Sequence, residues 1–305
     1  MLQGADGQAR GRCVPGACER SRSRGTVPLV QVIELPPERI EDLRAYLAKD
    51  PVQNLYALGM LEEHSLAAGH DARVSAFGLI EEGKLVGAAV LGGRGGLTLP
   101  CVFDPGAATE LGRAMLGRVR FRSVLGERSA VDALLRAANC GPARWSRPQR
   151  LFAASADDLG PFVSPGLRIA LPSDTPELLT MSAASIKESV GEDPTASGPA
   201  LLLRRVEARV AAGRTYVLVE GGRTIVKVDI GVRSRQGVEF EGLFTMPGDR
   251  RKGYATNVLG QLSRMALGAV KHVTMRVDEK DVGLAAVCRK VGFTAMRPQR
   301  LVVIG

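Results

Sequence analysis

A mixed α/β protein built from two copies of one unit is what the 305-residue sequence predicts. Short apolar runs of strand length alternate with stretches of helical periodicity along almost the whole chain. Phe77-Gly-Leu79-Ile-Glu81-Glu-Gly83-Lys84 lies over Tyr216-Val-Leu218-Val-Glu220-Gly-Gly222-Arg223 at an offset of 139 residues, and Gly92 falls on Gly231. Arg147-Pro148-Gln149-Arg150-Leu151 recurs letter for letter as Arg297-Pro298-Gln299-Arg300-Leu301, at an offset of 150. The offset grows by 11 residues between these anchors, so the second copy has extra chain between them.

Residues 1–28 are polar, rich in Gly, Arg and Ser, and without period, which predicts a disordered basic tail. In the first copy, over 29–155, Glu38–Ala48 and Val52–Leu66 carry apolar residues at helical spacing. Strands follow at Val74–Ile80, Leu85–Leu91 and Leu97–Phe103, the first two joined by a Glu81–Lys84 turn. A helix over Ala107–Val119, a strand at Phe121–Leu125, a helix over Ser129–Ala138 and an apolar strand at Leu151–Ala154 close this half. Residues 156–166, rich in Asp, Gly and Pro, read as a linker. In the second copy, over 167–305, helices at Pro176–Ser189 and Ala200–Ala212 precede strands at Thr215–Glu220, Thr224–Val232 and Val238–Met246. Helix Ala255–Gly268, strand His272–Val277, helix Val282–Val291 and strand Leu301–Ile304 finish it. The expected fold is therefore two tandem domains, each a mixed, mostly antiparallel sheet flanked by helices.

Composition removes several function classes. Apolar residues make up 45% and charged residues 24%, enough for a packed core. No uninterrupted apolar run approaches the ~18 residues of a membrane-spanning helix, and the start of the chain lacks the apolar segment of a secretory signal. Aromatic residues are only 4%, with Trp145 the single tryptophan, too few for a stacking platform on single-stranded nucleic acid. The net charge is +9, of which the tail, with five arginines against Asp6 and Glu19, supplies +3, a bias that fits anionic ligands. Cys13, Cys18, Cys101, Cys140 and Cys288 form no CxxC pair, and His64, His70 and His272 lack metal-ligand spacing. The expectation is a cytoplasmic protein with no metal and no disulfide framework.

Chemistry concentrates in Val238-Glu-Phe-Glu-Gly-Leu-Phe-Thr-Met-Pro-Gly-Asp-Arg-Arg-Lys-Gly-Tyr-Ala-Thr256. A strand runs to Met246, Pro247 stops it, and a helix opens at about Ala255. Gly253 permits a backbone shape that other residues resist. Successive amide N–H groups at a helix start converge on one point and bind an anion, most naturally a pyrophosphate, beside the charges of Arg250, Arg251 and Lys252. Glu239 and Glu241 alternate onto one face of the strand, where a carboxylate can take a proton from an attacking amine. Lys227 and Asp229 alternate in a neighbouring strand, and either a place in an acceptor cleft or plain solvent exposure accounts for them.

Arg250-x-x-Gly253-x-Ala255 after a strand and Pro247 resembles the acetyl-CoA pyrophosphate motif of the GNAT N-acetyltransferase superfamily. Asp281-Val-Gly-Leu-Ala-Ala-Val-Cys-Arg-Lys-Val-Gly292-Phe293 resembles its second motif, with Asp281 in place of the usual Asn and Cys288 in place of the usual Tyr. Asp50-Pro51-Val52-x-Asn54 gives the first half a resemblance to a GNAT-like domain that precedes some GNAT domains. The resemblance implies an acetyl-CoA-dependent N-acetyltransferase acting on a small-molecule or peptide amine by direct attack. It also implies that Phe244 and Thr245 offer backbone groups to the pantetheine arm. Arg250, Arg251, Lys252, Gly253, Tyr254, Ala255 and Thr256 then hold the pyrophosphate, with Asp281 also on the cofactor side. Glu239 takes the place where several such enzymes hold a base, Glu241 is the next candidate, and Cys288 stands where an acid would act. A non-catalytic acyl-CoA-binding regulatory module stays open as the alternative. The first copy ends its strand Phe103-Asp104-Pro105-Gly106, without the Arg–Gly–Ala spacing, and is expected to be non-catalytic.

Overall fold

Nearly every apolar run of the sequence becomes one member of a twelve-stranded sheet. The computed structural model describes residues 30–68, 72–93, 96–191, 194 and 198–305. The expected tail over 1–28 lies outside the described residues. The first half contains β1 (Val30–Glu34), α1 (Ile40–Leu47), α2 (Leu55–Glu63), β2 (Val74–Glu81), β3 (Lys84–Gly92) and β4 (Leu97–Cys101). It continues with α3 (Pro105–Met115), β5 (Ser123–Glu127), α4 (Arg128–Ala137) and β6 (Ala143–Ala154). The second half repeats the order: β7 (Leu167–Ile169), α5 (Thr175–Val190), α6 (Pro199–Ala211), β8 (Thr215–Glu220), β9 (Arg223–Arg233) and β10 (Gly237–Thr245). It ends with α7 (Tyr254–Leu267), β11 (His272–Asp278), α8 (Val282–Val291) and β12 (Thr294–Ile304).

Helices cover both faces, which is why the inner strands read as continuous apolar runs rather than alternations. In the first half, Leu43 and Leu47 of α1 and Ala57, Leu58 and Leu61 of α2 pack on one face with Val74, Ala88 and Val90. Leu111 and Met115 of α3 and Val131 and Leu134 of α4 pack on the other with Phe77 and Ala89. In the second half Val258, Leu259 and Leu262 of α7 meet Phe240, Met275 and Phe152. Leu178 of α5 and Val206 and Val210 of α6 cover Val217 on the opposite face. No helix among the described residues is long and apolar enough to cross a membrane.

The strand order is β1-β2-β3-β4-β5-β12-β6-β11-β10-β9-β8-β7. The two halves exchange their last strands: β12 pairs with β5, and β6 pairs with β11. At the seam the two copies of the repeated pentapeptide pair with each other, Arg147 with Leu301, Pro148 with Arg300, Gln149 with Gln299 and Arg150 with Pro298. The Gln149–Gln299 pair thus sits on a pseudo-twofold axis. Ion pairs are mirrored across it: Arg297 meets Glu127 at the end of β5 at 3.5 Å, and Arg147 meets Asp278 at the end of β11 at 3.3 Å.

Two expected short strands, Leu151–Ala154 and Leu301–Ile304, are only the ends of β6 and β12. Proline and arginine make the preceding residues read as loop, yet Pro148 lies just beyond the β11 ladder and Pro298 at a break in register, so neither removes a needed donor. The segment expected as a linker lies against α7: Arg264 donates to the carbonyls of Gly160 at 2.7 Å and Phe162 at 3.1 Å.

The sheet opens twice, each time between parallel strands. β10 and β11 pair from Gly237–His272 to Phe240–Met275 and then part, although both strands continue. β4 and β5 share a single pairing, Thr98 with Val124. In β10 the opening coincides with a bulge between Glu241 and Phe244, where Gly242 has φ +59°.

Candidate functional site

The chain leaving β10 builds a concave backbone surface. A single tight turn over Pro247–Asp249 follows the strand, Arg250 is extended, Arg251 has φ +66°, Gly253 has φ +87°, and α7 begins at Tyr254. No side chain caps α7, and its first satisfied amide is that of Asn257, which donates to the Gly253 carbonyl at 3.1 Å. The amides from Arg251 to Thr256 find no acceptor among the described residues, so this helix start presents a run of free donors. A Cβ built on Gly253 would meet no atom within 4 Å, so the concavity is open above it.

Basic side chains frame the donors. The Arg250 guanidinium is fixed by the Thr245 carbonyl at 3.0 Å and by the Glu188 carboxylate of α5 at 2.8 and 2.9 Å, and it lies 5.2 Å from the Phe244 ring centre. Lys252 is 3.0 Å from Asp249, whose carboxyl it holds below the usual carboxylate range with help from Arg223. Arg251 makes no ion pair among the described residues. The Tyr254 hydroxyl donates to Glu220 at 2.6 Å, while Ala255 and Thr256 form the first turn of α7. Free amides, a positive helix end and an arginine without a carboxylate suit a polyanion such as a pyrophosphate.

Next to this surface, the β10 edge facing β11 carries no pairing from Glu241 to Thr245, because the strands have parted. Phe244 and Thr245 remain paired with Lys227 and Val226 of β9, and the Thr245 carbonyl on the open side accepts from Arg250. On the helix-covered side of β9 and β10, a cavity of about 280 Å³ lies between α5 and α6. Its floor is charged. Asp229 accepts from Lys227 at 2.6 Å, from Arg209 at 2.9 Å and from the Thr215 hydroxyl at 2.8 Å, and Arg209 also binds Glu241. Lys227 and Asp229 are each 3% exposed and line this cavity, so solvent exposure does not account for them.

No protein-family model matches the sequence, and no curated protein does. Solved structures match its shape. A Drosophila protein superposes with a TM-score of 0.62 at 14% identity, covering 90% of this chain and 98% of that one. A GNAT-family acetyltransferase from Colwellia psychrerythraea does so with 0.56 at 12% identity, covering 91% and 100%. A tandem GNAT protein from the clavulanic acid biosynthesis pathway gives 0.50 at 13% identity, covering 90% and 98%. The chain has the tandem GNAT fold. At these identities the likeness concerns the fold, and the two-copy architecture read from the repeats is part of it.

Within this tandem GNAT fold the expected acid–base residues fall in three different settings. Glu239 is 3% exposed, accepts from Thr274 at 3.2 Å and is ion-paired with Arg276 of β11. Burial raises its pKa, and Arg276 opposes the rise. Glu241 lines the cavity and is held by Arg209. Cys288 stands in the core: its Sγ lies 3.8 Å from Met275 Sδ, it has no exposure, and burial pushes its thiol up to about 12. Asp281 caps α8, its carboxylate accepting from the Leu284 amide at 2.8 Å. The Gly292-Phe293 ending is a packing device, since a Cβ on Gly292 would lie 1.9 Å from the Asp158 carbonyl oxygen.

Sequence reasoning missed Arg209, Arg276 and Tyr56. Arg276 interrupts an apolar strand, which is the one signal it leaves. Tyr56 comes from α2 of the first half, which packs across the second. Arg235 donates its amide to Glu62 at 2.9 Å, Glu63 pairs with Arg214, and Gly59 lets α2 reach Val232. The Tyr56 ring lies 5.9 Å from the Arg276 guanidinium. Burial raises its hydroxyl pKa, and the charges of Glu241 and Glu239 add to the rise, so it stays a neutral donor.

Proposed function

We propose that this is a cytoplasmic N-acetyltransferase whose C-terminal half binds acetyl-CoA and whose cavity receives the amine acceptor. The observation that carries this reading is the run of free amides from Arg251 to Thr256 beside the open position at Gly253. A Cβ there would stand in the cradle, and three basic side chains surround it, so the residues fit a pyrophosphate. The N-terminal half supplies architecture and α2.

When bound, acetyl-CoA supplies an acyl group on a thioester. The amides from Arg251 to Ala255 hold the diphosphate, and the β10 edge left open beside Phe244 and Thr245 aligns the pantetheine arm and polarises the carbonyl. Glu241, facing the cavity, takes the proton that the amine must lose as its nitrogen attacks. Arg209 fixes the Glu241 carboxylate toward the acceptor. Glu239, first choice by spacing, lies behind with both oxygens engaged by Arg276 and Thr274 and shapes the local field. The departing thiolate needs little acid help, a thiol having an ordinary pKa near ~8.5. Cys288 then serves packing alone.

Calorimetric titration with acetyl-CoA, followed by thiol release over a panel of amines, tests the reading. Glu241→Gln keeps acetyl-CoA affinity and lowers turnover by roughly 10²–10⁴-fold. If Glu239→Gln causes that loss and Glu241→Gln does not, the proton goes to Glu239. Binding without thiol release for any amine would favour the regulatory module, the reading that a core-bound Cys288 in place of a tyrosine suggests.

A further inference from the structure

The cavity between α5 and α6 does not balance its own charge. Three cations line it, Arg205, Arg209 and Lys227, against two carboxylates, Asp229 and Glu241. Arg209 and Lys227 are bound to those carboxylates. Arg205 pairs with no carboxylate among the described residues. Ser182 and Ser185, one turn apart on α5, line the same cavity, and their hydroxyls make no hydrogen bond among the described residues. Thus, among the described residues, α6 contributes a guanidinium without a carboxylate and α5 two hydroxyls without a partner, while Glu241 lies on the β10 side. Between them, Leu178, Ile186, Leu202 and Val206 form an apolar wall.

The geometry points to an acceptor that is itself a small apolar α-amino acid: its amine meets Glu241, its side chain lies on the apolar wall, and its carboxylate is bound by Arg205 with Ser182 and Ser185. This rests on the proposed amine-acceptor reading of the cavity and names the substrate class. The lining has an excess of one positive charge. An acceptor in its reactive form has a neutral amine, so a single carboxylate supplies the complementary charge. A phosphate would bring nearly twice that. A polyamine or other polycation would set its charges against Arg205 and be rejected. The volume of about 280 Å³ sits at the low end for ligand sites and suits a small acceptor.

Calorimetry on the full chain, with coenzyme A at saturation, gives the test. Norvaline, its decarboxylated counterpart butylamine, the corresponding aminophosphonate and spermidine are titrated in turn. Norvaline is expected to bind roughly 10–100-fold more tightly than butylamine, the span of one charged hydrogen-bonded contact, with the phosphonate weaker than norvaline and spermidine silent. Arg205→Ala removes the advantage of norvaline and leaves butylamine unchanged, and Arg205→Lys retains part of it. Arg205 is an exposed helix residue, so these variants keep the fold. Butylamine binding as tightly as norvaline, an advantage that survives Arg205→Ala, or no binding by either compound overturns the inference. Coenzyme A binding, measured beforehand by the same method, reports on the cofactor reading separately. If it fails, the four titrations are run without coenzyme A and judged by the same outcomes.

Discussion

The starts of α3 and α7 are equivalent places in the two halves, and they differ by one insertion. Each follows a strand that opens away from its parallel neighbour, and each strand is followed by a proline. In the first half the helix begins at that proline, Pro105. In the second half seven residues, Pro247 to Gly253, intervene before α7 begins at Tyr254. The helix start without them is covered by acid: a Cβ on Gly106 would lie 2.6 Å from the Asp104 carboxylate, which therefore folds over the first turn and places negative charge at the positive end of α3. The start with them has two backbone positions at positive φ, free amides and basic neighbours. One fold thus carries a helix end covered by a carboxylate and a helix end with free amides, and the inserted residues make the difference.

The strongest way to break this comparison is to fill the second nest. Wild-type protein should bind one acetyl-CoA per chain, and Gly253→Glu should bind none, because the new side chain occupies the cradle with bulk and charge. A remaining site of full stoichiometry in Gly253→Glu would move binding to the α3 end. That variant should stay folded, since the added Cβ meets no protein atom and the left-handed backbone costs only about 1–2 kcal/mol. Removing a charge should matter less than blocking the amides. Arg251→Ala should weaken acetyl-CoA roughly 3–10-fold in the same titration, an effect of the size expected for one exposed charge at a helix end. A loss as complete as that of Gly253→Glu would show that side chains, not amides, do the holding. The smallest effect separates a cap from a ligand contact. Asp281→Ala should lower the unfolding free energy by about 0.5–2 kcal/mol in denaturant titration, as for a lost N-cap, with acetyl-CoA affinity unchanged. A drop in affinity without loss of stability would return Asp281 to the cofactor.

Local signals reported faithfully on local structure. Pro247, Gly253 and the small residues after it specify strand end, turn and helix start within a few positions, so the nest was legible. Helix faces such as Leu43 and Leu47 were legible for the same reason. The exchange of β6 and β12 was not. Both strands carry the same Arg-Pro-Gln-Arg-Leu, so either satisfies either slot by pattern, and only packing at the seam chooses. The charged floor of the cavity was half legible: Lys227 and Asp229 stood out within one strand, but Arg209 is 20 residues from Asp229 and 32 from Glu241. Tyr56 lies in the other half, and no spacing rule reaches it. Cys288 was placed by a motif position, and its role was decided by the core that surrounds it.

The strand exchange also imposes a timetable. Synthesis completes β5 at Glu127, but the strand that covers its outer edge ends at Ile304, 177 residues later. At typical elongation rates that is roughly 10–35 s during which β5 has no neighbour on that side. β6 waits too, since β11 and β12 are both still to come. An uncovered apolar edge is open to pairing with any other chain nearby. The long wait concentrates the aggregation hazard of this protein in the interval between its two halves.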